Sequence, residues 1–292
     1  MMLYPRATVI GIGQIGASFA LAGKRAGVLG HVTGVARSQQ TLDTARALGA
    51  ADEGINDAAA AVREAALVYL AVPVGAMRQV MSDIAPHLAA GCLVTDAGST
   101  KARICAWADE VLGNETAFIG GHPMAGSEKR GPASASADLF ADTTYLLCPQ
   151  SAPQAAVDRL QRLVEAIGAR PLLIEPERHD RIVSLSSHLP HLCSVALSLA
   201  LSHAESDELA TFGAGGLRDT TRIAAADTEM WRDVFAANAA NVLPAAEKLR
   251  EALDDLTAAI QTEDWKRVEE LLSAAKEFRE GLYRASGKGR CE

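Results

Sequence analysis

The chain has few cysteines, no long apolar run and no excess of positive charge. Its five cysteines stand apart without C-x-x-C spacing, at Cys92, Cys105, Cys148, Cys193 and Cys291. This scatter indicates neither a disulfide framework nor a zinc site, and it fits a reducing cytoplasm. No run of eighteen apolar residues occurs and the N-terminus soon enters a predicted strand, so we expect neither a membrane span nor a cleaved signal. The net charge of −8 has the wrong sign for a nucleic-acid surface, which leaves small-molecule chemistry.

The clearest positive feature is a glycine-rich turn near the N-terminus. An apolar strand runs into the pattern G-x-G-x-x-G, formed by Gly11, Gly13 and Gly16, and a small-residue helix follows. The first glycine permits a tight turn, the second lets backbone approach a pyrophosphate, and the third lets helix pack on strand. Gln14 and Ile15 lie between them, at a helix end whose free N–H groups attract phosphate. The pattern predicts a dinucleotide-binding site.

The end of the second strand bears on which nucleotide binds. Ala36 stands where an NAD-binding unit places an acidic residue for the ribose 2′-hydroxyl. Arg37, Ser38 and Thr41 follow, and a cation with hydroxyl donors suits a 2′-phosphate. We therefore expect NADP, with NAD as the weaker ligand, and the less favoured alternative is that Arg37 is a solvated surface charge. Val72, after the next long strand, is expected to line the same site.

The pattern of apolar residues changes along the chain. Residues 1–176 alternate strand-like and helical segments, which predicts an α/β domain with a doubly wound, Rossmann-type parallel sheet. Residues 177–292 lack strand signals and show helical spacing of apolar residues, which predicts an all-helical second domain. The apolar stripe from Val268 to Leu282 is typical of a core, and it would also suit the interface of a homodimer.

Two polar segments follow strands of the predicted sheet, where ligands of such folds bind. Ser99 lies in D-A-G-S-T-K at an expected helix start, where it could cap the helix and also lie near a bound nicotinamide. His122 lies between a glycine pair and a proline, which fixes its direction. A neutral imidazole accepts protons at neutral pH, so His122 is a candidate general base, the alternative being a hydrogen-bonded loop histidine.

The helical half offers two further groups. His188 and His191 are three residues apart, which raises the question of a metal site, but no third ligand has suitable spacing and Pro190 disturbs the local helix. Arg222 offers a planar fork that binds carboxylates. Its alternative is an ion pair with Asp219 or another carboxylate, and Arg218 could bind the ligand instead.

Taken in order, these segments resemble the prephenate/arogenate (cyclohexadienyl) dehydrogenase family of tyrosine biosynthesis over nearly the whole chain. The matching segments are residues 11–16, 96–101, 121–128, 187–191, 219–224 and Trp231. The resemblance implies three catalytic positions: His122 as the catalytic histidine, Ser99 near the nicotinamide, and His191 as the histidine of the helical domain that contacts substrate. It also implies that Arg222 binds a carboxylate. The remaining residues assigned to the substrate pocket are Ser127, Ser187, His188 and Trp231.

The resemblance further implies an activity. It is the NADP-dependent oxidative decarboxylation of prephenate, arogenate or both, to 4-hydroxyphenylpyruvate or tyrosine, without a metal. Family members pair through their helical domains, which implies a homodimer. Two alternatives remain at this point: another two-domain NAD(P)-dependent dehydrogenase, such as a β-hydroxyacid dehydrogenase, and a non-catalytic NADP-binding sensor.

Overall fold

The computed structural model describes residues 1–113, 116–126, 129–204, 209 and 211–285. Within these residues an eight-stranded sheet runs in the order β3-β2-β1-β4-β5-β6-β7-β8. Neighbouring strands are parallel except β6 and β7, which are antiparallel. The strands are β1 Tyr4–Ile10, β2 Leu29–Val35, β3 Glu53–Ile55, β4 Leu67–Leu70, β5 Leu93–Asp96, β6 Ala117–Pro123, β7 Thr144–Cys148 and β8 Arg170–Leu173.

Both faces of the sheet are covered. In β4, Leu67 and Tyr69 belong to one buried apolar cluster whereas Val68 and Leu70 belong to another, because side chains alternate along a strand. The helices of this part are α1 Gln14–Arg25, α2 Gln39–Ala47, α3 Ala58–Ala61, α4 Val74–Ile84, α5 Ala102–Leu112 and α6 Gln154–Ala166. Helices α1, α2 and α6 supply the first cluster, and α4 and α5 supply the second. The doubly wound α/β fold predicted from the sequence is confirmed.

The strand order defines where a ligand would bind. Strands β2 and β3 lie on one side of β1 and strands β4 to β8 on the other, so the topology reverses between β1 and β4. Open α/β sheets bind ligands outside the carboxyl ends of the strands at such a point. The glycine turn follows β1, Val72 follows β4, Ser99 follows β5, and His122 is at the end of β6.

The described residues after Pro176 form helices and turns, which confirms the helical second half. They are α7 Pro176–Val183, a π-helical turn Ser184–His188, α8 Leu189–Leu201, α9 Gly215–Thr221, a 3-10 turn Arg222–Ala225, α10 Thr228–Gln261 and α11 Trp265–Ala285. By compactness the chain forms a first unit, Met1–Val242, and a second, Leu243–Glu292. The boundary expected after residue 176 coincides with the change from sheet to helix, and as a domain boundary it stays a prediction.

The helices α7 and α8 form one continuous run with the π-helical turn between them. In this turn the N–H of Leu189 donates to the carbonyl of Ser184, five residues back. Pro190 follows directly, and the wide turn relieves the crowding that a proline ring causes in a regular helix. Helical distortions of this kind often occur at functional sites.

The same run bears on the expectation that no membrane span exists. Pro176–Leu201 has a window of mean hydropathy 1.3, so by length and composition alone it is long and apolar enough to cross a membrane. One such helix is weak evidence, because helices packed inside proteins pass the same test. Its polar residues His179, Asp180, His188 and His191 are buried within the protein, whereas 28% of the apolar window is buried.

A buried ion pair joins β5 to the end of β6. Lys101 and Asp96 are fully buried, and the Lys101 ammonium contacts the Asp96 carboxylate. Lys101 also donates to the carbonyl of Gly121 at 2.8 Å, while the Gly121 N–H donates to Asp96 at 2.9 Å. The pair therefore fixes the backbone next to His122.

We expect Lys101→Met to lower the free energy of unfolding by about 3–5 kcal/mol, because the Asp96 carboxylate would remain buried without its partner. Denaturant titration measures the loss. Lys24→Met is the matched control, since Lys24 pairs with Asp52 at 2.7 Å on the surface and should cost no more than about 1 kcal/mol. Equal losses in the two variants would contradict the structural role of the buried pair.

Candidate active site

The glycine turn has the geometry that a dinucleotide needs. Gly11 adopts φ +89°, and a Cβ there would lie 2.5 Å from the carbonyl oxygen of Ala71. A Cβ on Gly16 would lie 2.4 Å from the carbonyl oxygen of Gly11, whereas one on Gly13 would meet nothing within 4 Å. The space over Gly13 lets a pyrophosphate approach the backbone. Helix α1 begins at Gln14 with no side-chain cap and no acidic residue in its first turn, so this helix end fits phosphate.

The residues expected at the ribose lie where β2 leads into α2. Arg37 and Ser38 are exposed and Thr41 is half-buried. Arg37 forms no ion pair with any carboxylate of the described residues. This placement suits both a contact with a 2′-phosphate and a solvated charge, so the NADP preference stays a prediction. Val72 is half-buried, and its Cγ1 would lie 3.0 Å from a Cβ on Gly11, at the edge of the glycine turn.

Ser99 lies in the turn after β5, but the expectation that it caps a helix is wrong. Helix α5 begins at Ala102, and its N-cap residue is Lys101. The N–H groups of Lys101 and Ala102 donate to the Asp180 carboxylate at 2.7 and 3.0 Å. After Ser99 the chain turns through two more residues before α5 starts. The Asp180 carboxylate of α7 therefore caps the helix in place of Ser99. The half-buried Ser99 hydroxyl is left for another role.

His122 is the first of three linked polar groups. Its Nδ1 lies 2.8 Å from Nε2 of His179, and Nδ1 of His179 lies 2.7 Å from the Asp180 carboxylate. His179 and Asp180 are buried in the middle of α7. Sequence reasoning missed both, because they stand among charged residues in P-E-R-H-D. The sequence signal that could have pointed to them is an adjacent His-Asp pair shortly after the last strand.

The histidines of the helical half form an aromatic cluster with Trp231. The His191 ring stacks on Trp231 with centroids 3.5 Å apart and planes within 2°. The His188 ring meets Trp231 edge-on at 5.9 Å. The His191 Nδ1 and Ser194 hydroxyl are buried without a hydrogen-bond partner. Buried polar atoms normally have partners, so these two atoms fit a polar ligand.

Asn238 links this cluster to Asp180 and was not found from the sequence. Its side-chain amide donates to the backbone carbonyl of Asp180 at 2.8 Å and lies 3.1 Å from Nδ1 of His188. Asn238 itself departs from helical geometry, with φ −119° and ψ 22° inside α10. This break in the helix brings its side chain to both partners.

The remaining predicted residues are less closely tied to the cluster. Ser187 is half-buried in the π-helical turn, and Ser127 lies outside the described residues. Arg222 is exposed at the start of the 3-10 turn. The ion pair of Arg222 with Asp219, which was the alternative prediction, does not form. The Asp219 carboxylate instead lies 3.5 Å from Nε of Arg218. Among the described residues, no group of three or more His, Cys, Asp or Glu side chains could hold a metal ion.

The four histidines of the site share one electrostatic property. Burial is the largest cause that holds the pKa of His122 well below its usual range. Burial likewise lowers the pKa of His179 and of His191, and it lowers the pKa of His188 to about 4. All four imidazoles are therefore neutral at pH 7, and a neutral imidazole is the form that accepts a proton.

These pKa values predict how stability depends on pH. In the unfolded chain the histidines regain pKa values near 6.5 and bind protons that the folded chain excludes, so stability falls as the pH falls from about 6.5 towards 4. His188 alone should contribute a loss of about 2 kcal/mol between pH 7 and 5. Denaturant titrations at pH 7, 6 and 5 measure it.

His188→Asn should flatten the pH dependence, whereas His87→Asn, in the 3-10 turn Ala85–His87, should leave it unchanged. A free energy of unfolding that stays constant from pH 7 to 5 would show that these imidazoles are not held neutral by the fold.

Comparisons with known proteins agree with this geometry. Residues 19–173 match a family model described as prephenate dehydrogenase, nucleotide-binding domain. Residues 175–274 match one described as prephenate dehydrogenase, dimerization domain. The chain is 34% identical to a prephenate dehydrogenase of Bacillus subtilis over 93% of this chain and 74% of the relative. It is 35% identical to a cyclohexadienyl dehydrogenase of Zymomonas mobilis over 90% of this chain and 91% of the relative.

Solved structures give the same result. A crystal structure of prephenate dehydrogenase from Aquifex aeolicus, in complex with hydroxyphenyl propionate and NAD+, superposes with a TM-score of 0.88 at 31% identity. The match covers 97% of this chain and 98% of that one. Two family models that match residues 19–173 and 175–274, and relatives matched over most of their length, identify the chain as a member of the prephenate dehydrogenase family, NAD(P)-dependent oxidoreductases.

Proposed function

We propose that the protein catalyses the NADP-dependent oxidative decarboxylation of prephenate, arogenate or both. The observation that carries the proposal is His122, a neutral imidazole at the carboxyl end of β6, on the same sheet edge as the glycine turn after β1. Family relatives named for prephenate and for cyclohexadienyl substrates support it. The products would be 4-hydroxyphenylpyruvate from prephenate and tyrosine from arogenate.

The chemistry explains why a neutral histidine is needed. These substrates carry a hydroxyl at C4 and a carboxylate at C1 of a cyclohexadienyl ring. The bound nicotinamide supplies the hydride acceptor. His122 takes the hydroxyl proton as hydride leaves C4, so that a carbonyl forms at C4. Carbon dioxide then departs from C1, the electron pair of the broken C1–carboxylate bond makes the ring aromatic, and the resulting phenolate oxygen at C4 takes a proton back. Aromatisation makes the reaction essentially irreversible.

The other site residues bind and orient the substrate. Ser99 contributes a hydroxyl near the nicotinamide, and His191 offers its unpartnered Nδ1 to the ring. Arg222 binds a substrate carboxylate through its fork, without a part in proton transfer. Three more residues line the same pocket in this proposal: Ser187, His188 and Trp231. Holding the ring in a reactive orientation is a large part of such catalysis.

The proposed activity is tested by incubating the protein with prephenate or arogenate and NADP while following absorbance of the reduced nicotinamide. We expect turnover with at least one substrate. His122→Asn keeps hydrogen bonding but removes the base, so turnover should fall by about 10²–10⁴-fold with NADP affinity nearly unchanged.

His87→Asn is the control and should retain full turnover. Absence of turnover with both substrates would overturn the proposed function, and a loss of less than about tenfold in His122→Asn would remove His122 from the proton-transfer step.

The nucleotide preference is tested on Arg37. Loss of a charge-assisted hydrogen bond to a 2′-phosphate costs about 1.5–3 kcal/mol, so Arg37→Ala should weaken NADP binding by about 10–100-fold and leave NAD binding unchanged. Fluorescence titration measures both affinities. Arg46→Ala, an exposed arginine of α2, is the matched control. Tighter binding of NAD than of NADP by the unaltered protein would overturn the preference.

We also propose a cytoplasmic homodimer that forms through the helical half. Large apolar side chains are exposed on its helices, including Leu185 at 59%, Leu199 at 64% and Phe212 at 81% of their surface. In the second unit, Phe278 of α11 is 73% exposed. Exposed apolar side chains in such number favour a protein partner, and a second copy would cover them. The matched dimerization domain supports this assembly.

A further inference from the structure

The contacts of His122 lead away from the pocket to two residues that the proposed function does not use. His179 lies between His122 and Asp180. Its Nε2 is 2.8 Å from Nδ1 of His122, and its Nδ1 is 2.7 Å from the Asp180 carboxylate. Both His179 and Asp180 are buried. Each ring nitrogen of His179 therefore has one partner of known chemistry, and this allows the positions of the hydrogens to be worked out.

The Asp180 carboxylate fixes the first hydrogen. It faces three nitrogen atoms, the backbone N–H groups of Lys101 and Ala102 and Nδ1 of His179. The two backbone groups can only donate, so the carboxylate acts as an acceptor at the positive end of helix α5. A neutral imidazole next to an ionised carboxylate places its hydrogen between them. His179 therefore carries its hydrogen on Nδ1.

The second hydrogen follows from the first. With its hydrogen on Nδ1, neutral His179 has a free lone pair on Nε2 and can only accept there. The partner nitrogen, Nδ1 of His122, must then donate. Neutral His122 consequently has its lone pair on Nε2, which is the nitrogen left to face a substrate. The carboxylate of Asp180 thus selects the tautomer of a base two hydrogen bonds away.

The charges around the three groups sum to a single negative charge. Lys101 and Asp96 neutralise each other in a buried ion pair. His188, whose pKa is lowered to about 4, is neutral at pH 7, and Asn238 contributes only dipoles. Among the described groups named here around His122 and His179, the Asp180 carboxylate is then the only one with an unpaired full charge. A proton on the histidine pair would bring the sum of these charges to zero.

We propose that His179 and Asp180 are positioning residues for the reaction, which hold His122 in its reactive tautomer and share the positive charge that His122 acquires. The inference rests on the proposed function. As the substrate O–H bond breaks, its proton bonds to Nε2 of His122. The hydrogen on Nδ1 of His122 then shifts towards Nε2 of His179, whose other N–H remains on Asp180. Charge is conserved and no further reactant is required.

His179→Phe and His179→Gln test the proposal together. Phenylalanine removes the acceptor, so kcat should fall by about 10–100-fold while KM and NADP affinity change little. Glutamine retains an amide oxygen that accepts from His122 but cannot take up the proton, so its kcat should fall less. His87→Phe should behave like the unaltered protein. Thermal melting shows whether each variant is folded.

The pH profile of kcat/KM separates this role from a structural one. Loss of the acceptor destabilises protonated His122, so the acid limb in His179→Phe should move to lower pH. An acid limb that does not move, with equal losses in the two variants, would assign His179 a structural role. A limb that moves to higher pH would show that His179 repels the charge rather than sharing it. Either result overturns the proposal.

A measurement without turnover keeps the proposal separate from the proposed function. Proton NMR should show downfield imidazole N–H signals from the His122–His179–Asp180 chain, lost in His179→Phe and retained in His87→Phe. If the unaltered protein oxidises neither substrate, the proposed function fails while these signals still decide whether the hydrogen-bonded chain exists. If His179→Phe retains all of them, the chain of hydrogen bonds is absent and the inference fails.

Discussion

The Asp180 carboxylate is the group on which the geometry of the site depends. It accepts hydrogen bonds from the first two N–H groups of the α5 end and from the His179 ring. A buried carboxylate is costly to dehydrate, and three donors with the positive end of a helix offset that cost. One anion therefore caps the N-terminus of α5, holds α7 against that helix and orients the rings of His179 and His122. His122 then presents the lone pair of its Nε2.

A second set of contacts links Asp180 to His188 in the helical half. The broken helical geometry at Asn238 lets its amide reach both the Asp180 backbone and His188, and the π-helical turn places His188 in that position. The amide N–H donates, so His188 accepts on Nδ1 and carries its hydrogen on Nε2. Departures from regular helix at both segments thus coincide with the site, as is common where function constrains the backbone.

The sequence predicted the parts of the site that depend on local pattern. The three glycines each have a separate steric reason that is visible in the spacing, and the structure confirms the tight turn at Gly11 and the close packing at Gly16 and leaves open space at Gly13. Residues that depend on contacts across the chain were missed. His122 and His179 are 57 residues apart, and no periodicity links them. Ser99 was expected to cap a helix because caps are normally local, whereas here a distant carboxylate supplies the cap.

The central claim is that a neutral His122, with its hydrogen on Nδ1, is the base. Nitrogen-15 NMR of histidine-labelled protein at pH 7 tests it most directly, because the shifts show which ring nitrogens carry hydrogen. Spectra of His122→Asn and His179→Gln assign the signals. The account predicts hydrogen on Nδ1 and a bare Nε2 for both His122 and His179. A His122 that is charged at pH 7, or that carries its hydrogen on Nε2, would contradict it.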